Sequence, residues 1–473
     1  MAESWVEEET RGLSMGDTRL DARLRGTLCR LGERPSAGIP EACGGHAEMT
    51  GAYRLFDNPK AGFEAVLDPH RAATRRRVAA EPLVLLVQDT TEVDLTRPRA
   101  QVRGAGPLDG GPRRGQFLHG LVAFTPDGVP LGTVEATRWT RGEEPRCSRL
   151  SRAERAAVPF EKKESRRWLE TLRAAQALAP LCPETRLVCL CDSEGDIYEV
   201  LAEPPRIGWI IRACQDRALV PDGDGGPSDL RARLLAQPAI DSATVRVRGR
   251  EPKIACDRRG RRQARRSRKA RVEVRSASVT LRPPWRPGRA LPPVSVNAVL
   301  VTETDPPEGE PPVEWLLLTS LPVASAAEAA EVVRLYGVRW GIEVFFRVLK
   351  SGCRIEERRF EDIRRLDVAL AVYLIVAWRT LYVCRLARTC PDLGCDAVFE
   401  AAEWRAVWKV VEGSDPPSRP PPLGEFIVLV ARLGGYVARS GSPPGPQTVW
   451  IGMQRACDFA QCWNAFGPGA EDV

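Results

Sequence analysis

What this chain most plainly lacks is metal-ligand spacing. Its fourteen cysteines include no Cys-x2-Cys pair, and its only three histidines, His46, His70 and His119, are scattered. A structural zinc site takes four Cys or His ligands at short spacings, so none is expected. Most cysteines lie in apolar contexts such as Val188-Cys189-Leu190-Cys191. There a reduced thiol packs as a small hydrophobe, which fits a reducing cytoplasm. An apolar signal core is also missing. The N-terminus, Met1 to Glu9, is acidic, and secretion is not expected. The longest apolar run, Val368 to Trp378, is broken by Arg379. It is too short to span a bilayer and reads as a buried helix, so no membrane partner is expected. There is no internal repeat.

What is present suits a soluble globular chain of roughly three domains. Of 473 residues, 43% are hydrophobic and 28% charged. The net charge is +7, with Arg far outnumbering Lys, which permits a polyanionic partner without requiring one.

In chain order, residues 1–70 read as short helices. Asp17 or Thr18 caps one, and Gly51 to Asn58-Pro59 forms another, closed by its Asn-Pro. Leu83 to Val87 is a continuous apolar run, the mark of a strand buried on both faces, and with Gln88 it leads to Asp89 at or near the strand's end. Gln116–Phe124 and Pro130–Ala136 look like strands joined by the turn Pro126-Asp127-Gly128. A charged amphipathic helix begins around Glu161. A second buried strand, Thr185–Cys191, ends in Asp192, with Glu194 and Asp196 as nearby competitors for any role. Asp192 is preferred because it abuts the strand. Trp209–Arg212 reads as the next strand. Residues from about 220 to 320 turn Pro/Gly-rich, with alternating strands at Ala243–Val247 and Ala270–Val274. The stretch Lys253 to Arg271 holds ten Lys or Arg and one acid, Asp257. Such a run is either a solvated loop or a phosphate-neutralising one. Towards the C-terminus come a Trp404/Trp408 helix, a Pro-rich linker from Ser414 to Pro422, and a helix from Glu425 stopped by Gly434-Gly435.

The stretch Tyr336 to Lys350 has no proline and favours a helix. At about 100° per residue, Tyr336, Arg339, Glu343 and Lys350 fall within roughly 60° of one another. One face then carries a phenol, two cations and one carboxylate. The bland reading is a solvated charged stripe. The chemical reading is a metal-binding carboxylate among phosphate-gripping neighbours.

The spacing Tyr-x2-Arg-x3-Glu-x6-Lys resembles the signature of the IS4 family of bacterial transposases, of the Tn5 type. Phrases around Asp17–Leu24, Gly51–Pro59, Lys163-Glu164-Ser165 to Trp168, and Trp450-Ile451-Gly452 resemble that family too, so the likeness covers most of the chain. It implies an α/β fold: a ribonuclease-H-like catalytic core with an inserted β-subdomain, flanked by helical N- and C-terminal domains. The expected divisions are 1–70 for DNA-end binding, 71–375 for catalysis with a β-rich insertion at about 215–320, and 376–473 for dimerisation. Asp89, Asp192 and Glu343 are then the catalytic, metal-holding acids. They would bind two Mg²⁺ ions, with Mn²⁺ able to substitute. The resemblance makes Tyr336, Arg339, Lys350, Trp340, Arg212, Arg23 and Arg54 DNA contacts. Trp315, 21 residues before Tyr336, matches the family's tryptophan that stacks on a flipped-out base. The implied activity is cut-and-paste transposition by nicking, hairpin formation and strand transfer. The implied partners are transposon-end and target double-stranded DNA and a second copy of the chain in a synaptic complex, and the implied location is the bacterial cytoplasm, at the nucleoid. The alternatives are a non-enzymatic DNA-end-binding relative, which need not keep all three acids, and a general ribonuclease-H-like nuclease without the end-binding N-terminus.

Overall fold

The computed structural model describes residues 2–99, 101–142, 151, 154, 157–221, 226–247, 266–286, 290–310, 312–438 and 443–467. Five helices precede the first strand: Ala2–Glu9, Thr18–Glu33, Ile39–Cys43, His46–Asp57 and Phe63–Ala79. Asp17 caps the second, its carboxylate accepting from the Arg19 N–H. The fourth stops at Asn58, ahead of Pro59, as expected.

Strands β1 (Leu83–Asp94), β3 (Arg114–Phe124) and β4 (Pro130–Trp139) form an antiparallel meander, and the two-residue β2 (Gly106–Pro107) adds to β3. Strand β5 (Arg186–Cys191) pairs parallel to β1, and β6 (Gly208–Arg212) parallel to β5. The order β4-β3-β1-β5-β6, with three antiparallel strands followed by two parallel ones, is that of a ribonuclease-H-like core. Val84 to Gln88 are all buried because β1 lies in the middle of the sheet, covered on both faces.

The β-rich insertion is present, and its strands continue the core sheet. Strand β10 (Glu314–Thr319) pairs antiparallel with β6, then β9 (Val294–Glu303), β8 (Arg268–Leu281) and β7 (Asp241–Val247) follow outward, giving ten strands in one sheet. Their alternation was readable in the sequence. Their docking on the edge of β6 was not, because any exposed edge offers the same backbone groups. Arg268 ties this extension together, paired with Glu303 at 2.8 Å and with Glu310. Residues 248–265, which hold most of the basic run including Arg258, Arg259, Arg261, Arg262 and Arg265, lie outside the described residues.

Two layers cover the sheet. The helix Arg166–Gln176 packs through Trp168 and Leu172 on the face that also carries Leu86 and Cys189. The other face, with Leu85, Val87 and Leu190, meets helices Trp340–Arg347 and Ile363–Thr389. The latter is long and apolar enough to cross a membrane, yet 83% of its apolar window is buried in the fold, as a core helix should be. It runs unbroken through residue 375. Helices Ala401–Glu412, Leu423–Leu433 and Pro446–Phe466 complete the C-terminal part around Trp404, Phe399 and Phe426.

A buried polar knot joins the N-terminal helices to this core. Glu9 accepts from His70 Nδ1 at 2.5 Å and from Arg77 at 2.6 Å. His70 Nε2 accepts the Thr133 N–H at 3.0 Å, and Arg77 lies over the Trp378 ring. Burial opposes charge on Glu9, but His70 and Arg77 outweigh it and hold the carboxyl below its ordinary range.

Candidate active site

Pairing register brings the first two acids together. Parallel pairing of β1 with β5 ends at Gln88 opposite Cys191, so Asp89 and Asp192 are the next residues on adjacent strands. Alternation turns both towards the face of helix Trp340–Arg347. Asp192 ends its strand as expected and caps the short turn Ser193–Gly195, accepting the Glu194 N–H at 2.7 Å. Asp89 departs from the expectation. Strand β1 continues five residues beyond it, because β3 keeps pairing as far as Asp94 opposite Gly115. Asp89 therefore marks the end of the parallel ladder, not of the strand.

The competing acid Asp196 is committed elsewhere. It is buried, paired with Arg217, and accepts the Cys214 and Gln215 N–H groups at 2.9 and 3.1 Å. It holds the loop after β6.

The segment carrying the third acid is not one continuous helix. Helix Ala326–Gly337 ends, a tight turn through Val338 and Arg339 follows, then helix Trp340–Arg347, and a wide π turn Val348–Gly352. The turn has i→i+3 bonds from Arg339 N to Tyr336 O and from Gly341 N to Val338 O. Each change of helical pitch rotates the residues that follow, so the single face expected for Tyr336, Arg339, Glu343 and Lys350 is broken. Gly341 lets the middle helix sit against the sheet. A Cβ there would lie 2.9 Å from the buried Phe124 ring. Phe346 packs over Gly120, the residue paired with Asp89.

Arg339 joins the acids. Its guanidinium donates to Asp89 Oδ2 at 3.5 Å and to the Glu343 carboxylate. Burial works against its charge, but Glu343, Tyr336 and Asp89 outweigh this and raise its pKa. Burial, with the charge of Asp192 next, pushes Asp89 up to about 7. Burial likewise raises Asp192, against the opposing bond from the Glu194 N–H; the Glu194 and Glu343 charges add to the rise and Arg339 opposes it. Three acids that act on one another across a half-buried face are a hard-oxygen donor set suited to a divalent cation. As the side chains stand, Arg339 provides the counter-charge, and among the described residues no three His, Cys, Asp or Glu side chains stand at metal-holding distance.

The remaining predicted residues divide. Tyr336 is buried, its ring edge-on to Trp315 with centroids 5.7 Å apart. Burial raises its phenol pKa, and the charges of Arg339, Arg212 and Asp192 all act on it, so these groups share one neighbourhood. Trp315 is partly buried in β10, and Arg212 ends β6 exposed, donating to Glu314 O. Trp340 is 50% exposed at the start of its helix. Lys350 turns away from the acids. The π turn aims it at the Glu92 carbonyl, 2.8 Å, and at Glu356, 3.1 Å. Arg23 and Arg54 are exposed on the helices Thr18–Glu33 and His46–Asp57. The sequence reading passed over Gln88 and His119, which lie behind the acids. Their signal was two polar residues inside otherwise apolar strands.

A transposase DNA-binding model matches residues 2–61, a transposase DDE domain matches residues 203–379, and a transposase Tn5 dimerisation domain matches residues 375–465. The DDE match includes Glu343 and begins after Asp89 and Asp192. Among solved structures, a piggyBac transposase synaptic complex with hairpin DNA is similar at 9% identity and a TM-score of 0.36. That match covers 82% of this chain and 72% of that one. The DDE domain brings dependence on a divalent metal, and the flanking regions bring DNA binding and dimerisation. Three models in this order along one chain, around a ribonuclease-H-like sheet, make it a DDE transposase of the Tn5/IS4 type.

Proposed function

We propose that this transposase cuts and joins DNA at the ends of its own element, with Asp89, Asp192 and Glu343 as the catalytic acids. One observation carries the reading. The register of β1 and β5 sets Asp89 beside Asp192, and Arg339 links Asp89 to Glu343. Mg²⁺, two ions or Mn²⁺ in their place, held by these acids would activate the attacking water or 3′-hydroxyl and take up charge on the leaving oxygen. Arg339 has two uses. In the protein alone it neutralises Asp89 and Glu343. On an engaged end it would turn to a phosphate, for which a guanidinium is well shaped, and free the acids. Trp315, edge-on to Tyr336, supplies a platform for a base that leaves the stack when the strand bends into a hairpin. Arg212, bonded to the Glu314 carbonyl next to Trp315, and Trp340, exposed beside Arg339, would add contacts to the flanking backbone. Lys350, held on Glu92 and Glu356, would have to leave these partners to reach a phosphate. Arg23 and Arg54 would read the end from the N-terminal helices, and two copies would synapse two ends in the bacterial cytoplasm, at the nucleoid. The working division is 1–70, 71–375 and 376–473. Three acids gathered on one face favour an enzyme over a purely end-binding relative.

The test is Mg²⁺-dependent cleavage of a duplex bearing the element's terminal repeat, compared with a random duplex. Asp89→Asn, Asp192→Asn and Glu343→Gln should each abolish cleavage and leave end binding within about twofold. Cleavage surviving any of the three refutes that acid's role.

A further inference from the structure

Behind the two acids, on the opposite face of the sheet, runs a row of buried polar side chains. Alternation along β1 turns Gln88 and Thr90 away from the Asp89 side. Register sets Thr90 opposite His119 and Gln88 beside Cys191. Gln88 and Cys191 are fully buried and His119 is 1% exposed. His119 Nδ1 lies 2.7 Å from Thr90 Oγ1, and Nε2 lies 3.1 Å from Gln88 Oε1. Gln88 Nε2 donates to Cys191 Sγ at 3.1 Å and to Cys189 Sγ at 3.4 Å.

The directions of these bonds follow from chemistry. The Gln88 carbonyl can only accept, so His119 Nε2 carries the proton. The neutral ring then has an Nδ1 that accepts the Thr90 hydroxyl. The ring is held neutral, since burial, aided by Arg167, pushes its pKa down to about 3. The Thr90 N–H in turn donates to Asp89 Oδ1 at 2.7 Å. Hydrogen bonds therefore lead from the β5 cysteines, across β1 and β3, to the carboxylate of Asp89. The turn that carries Asp192 rests on the same row. Gly195 sits where a Cβ would lie 2.6 Å from the Cys191 Cβ and 3.0 Å from the Trp168 ring, and Trp168 packs edge-on against His119. Polar groups are costly in an apolar core and only a fully partnered network is tolerated there. This one spans the three central strands at the level where the two acids emerge.

We infer that His119, with Thr90 and Gln88, is a positioning residue that fixes the Asp89 carboxylate beside Asp192 for metal binding. The inference rests on the assignment of those two acids as metal ligands. Outer-shell partners of metal ligands typically change metal affinity or activity by about 10- to 100-fold.

The experiment uses the full-length protein with Mn²⁺ as the probe, followed by electron paramagnetic resonance, alongside single-turnover cleavage and end binding. His119→Phe keeps the ring and removes both bonds. Thr90→Val removes only the hydroxyl and keeps the N–H, and Thr90→Ser restores the hydroxyl. His119→Phe and Thr90→Val should each weaken Mn²⁺ binding about tenfold or more and slow cleavage by a similar factor. End affinity should stay within about twofold, and Thr90→Ser should recover both losses. If His119→Phe does not fold, the Thr90→Val and Thr90→Ser pair decides alone. Wild-type Mn²⁺ affinity in Thr90→Val, or equal loss in Thr90→Ser, overturns the inference. Asp89→Asn separates the two levels. If it loses Mn²⁺ while the His119 and Thr90 variants keep it, the row is only structural. If it keeps Mn²⁺, the assignment of the acids fails and the inference with it.

Discussion

Asp89→Asn should stabilise the metal-free protein while destroying its chemistry. Burial and the neighbouring Asp192 carry the Asp89 carboxyl from its ordinary 3.8 to about 7. The folded state therefore binds a proton that the unfolded chain has released throughout that window. Stability falls as pH rises from about 4 to about 7, and the full penalty is present above the folded value. At 1.36 kcal/mol per pH unit the ceiling is about 4 kcal/mol. The Asn side chain cannot ionise, so the variant escapes the penalty and also removes the repulsion on Asp192. Half the ceiling, about 2 kcal/mol, corresponds to a Tm rise of about 2 °C at pH 8 for a chain of this length. The assay is thermal unfolding of wild type and Asp89→Asn in chelator at pH 4, 6 and 8. The gain should be greatest at pH 8, smaller at pH 6 and near zero at pH 4. Added Mn²⁺ should raise the Tm of the wild type and leave the variant nearly unmoved, because only a bound ligand stabilises by mass action. An Asp89→Asn Tm equal to or below wild type at pH 8, with no pH trend in the difference, would refute the reasoning.

Gly341→Ala puts a methyl 2.9 Å from the buried Phe124 ring. It should cost about 1–3 kcal/mol by denaturant unfolding and slow cleavage by shifting Glu343, whereas Gly337→Ala, with nothing within 4 Å, should be close to neutral. Arg339→Ala should tighten Mn²⁺ binding to the DNA-free protein and weaken end binding, and unchanged Mn²⁺ affinity would show that the arginine does not compete for the acids. Trp315→Ala should slow hairpin formation more than first-strand nicking, since only the hairpin needs a base out of the stack. Equal slowing, with no rescue by an abasic site, would make Trp315 a core residue. Glu9→Gln breaks the buried pairing with His70 and Arg77 and should destabilise by about 3 kcal/mol near neutral pH. The Glu9 carboxyl is depressed in the folded state, so that difference should shrink as pH falls through its folded pKa.

The sequence by itself determined the strands and most of the helices, and it singled out the acids proposed here for catalysis. A short apolar run such as Leu83–Val87, preceded by Pro82 and too brief for a core helix, reads as a central strand, and the Tyr-Arg-Glu-Lys spacing singled out Glu343. Asp192 was legible because its strand ends there. The tertiary structure decided what depends on partners. Asp89 sits where the parallel ladder stops, and that point is set by the length of β5, one hundred residues later. The turn at Val338–Arg339 and the π turn at Val348–Gly352 come from packing the helix on Phe124 and on Trp450, and a 100° wheel cannot foresee them. That is why Lys350 points to Glu92 and Glu356 instead of sharing a face with Glu343. The row through Thr90, His119 and Gln88 is likewise invisible in one dimension, since its three strands meet only through hydrogen-bond register. Local sequence fixes which residues favour a strand or a helix, through periodicity and side-chain shape. Which strand lies beside which, and so which carboxylates face one another, is a property of the assembled sheet.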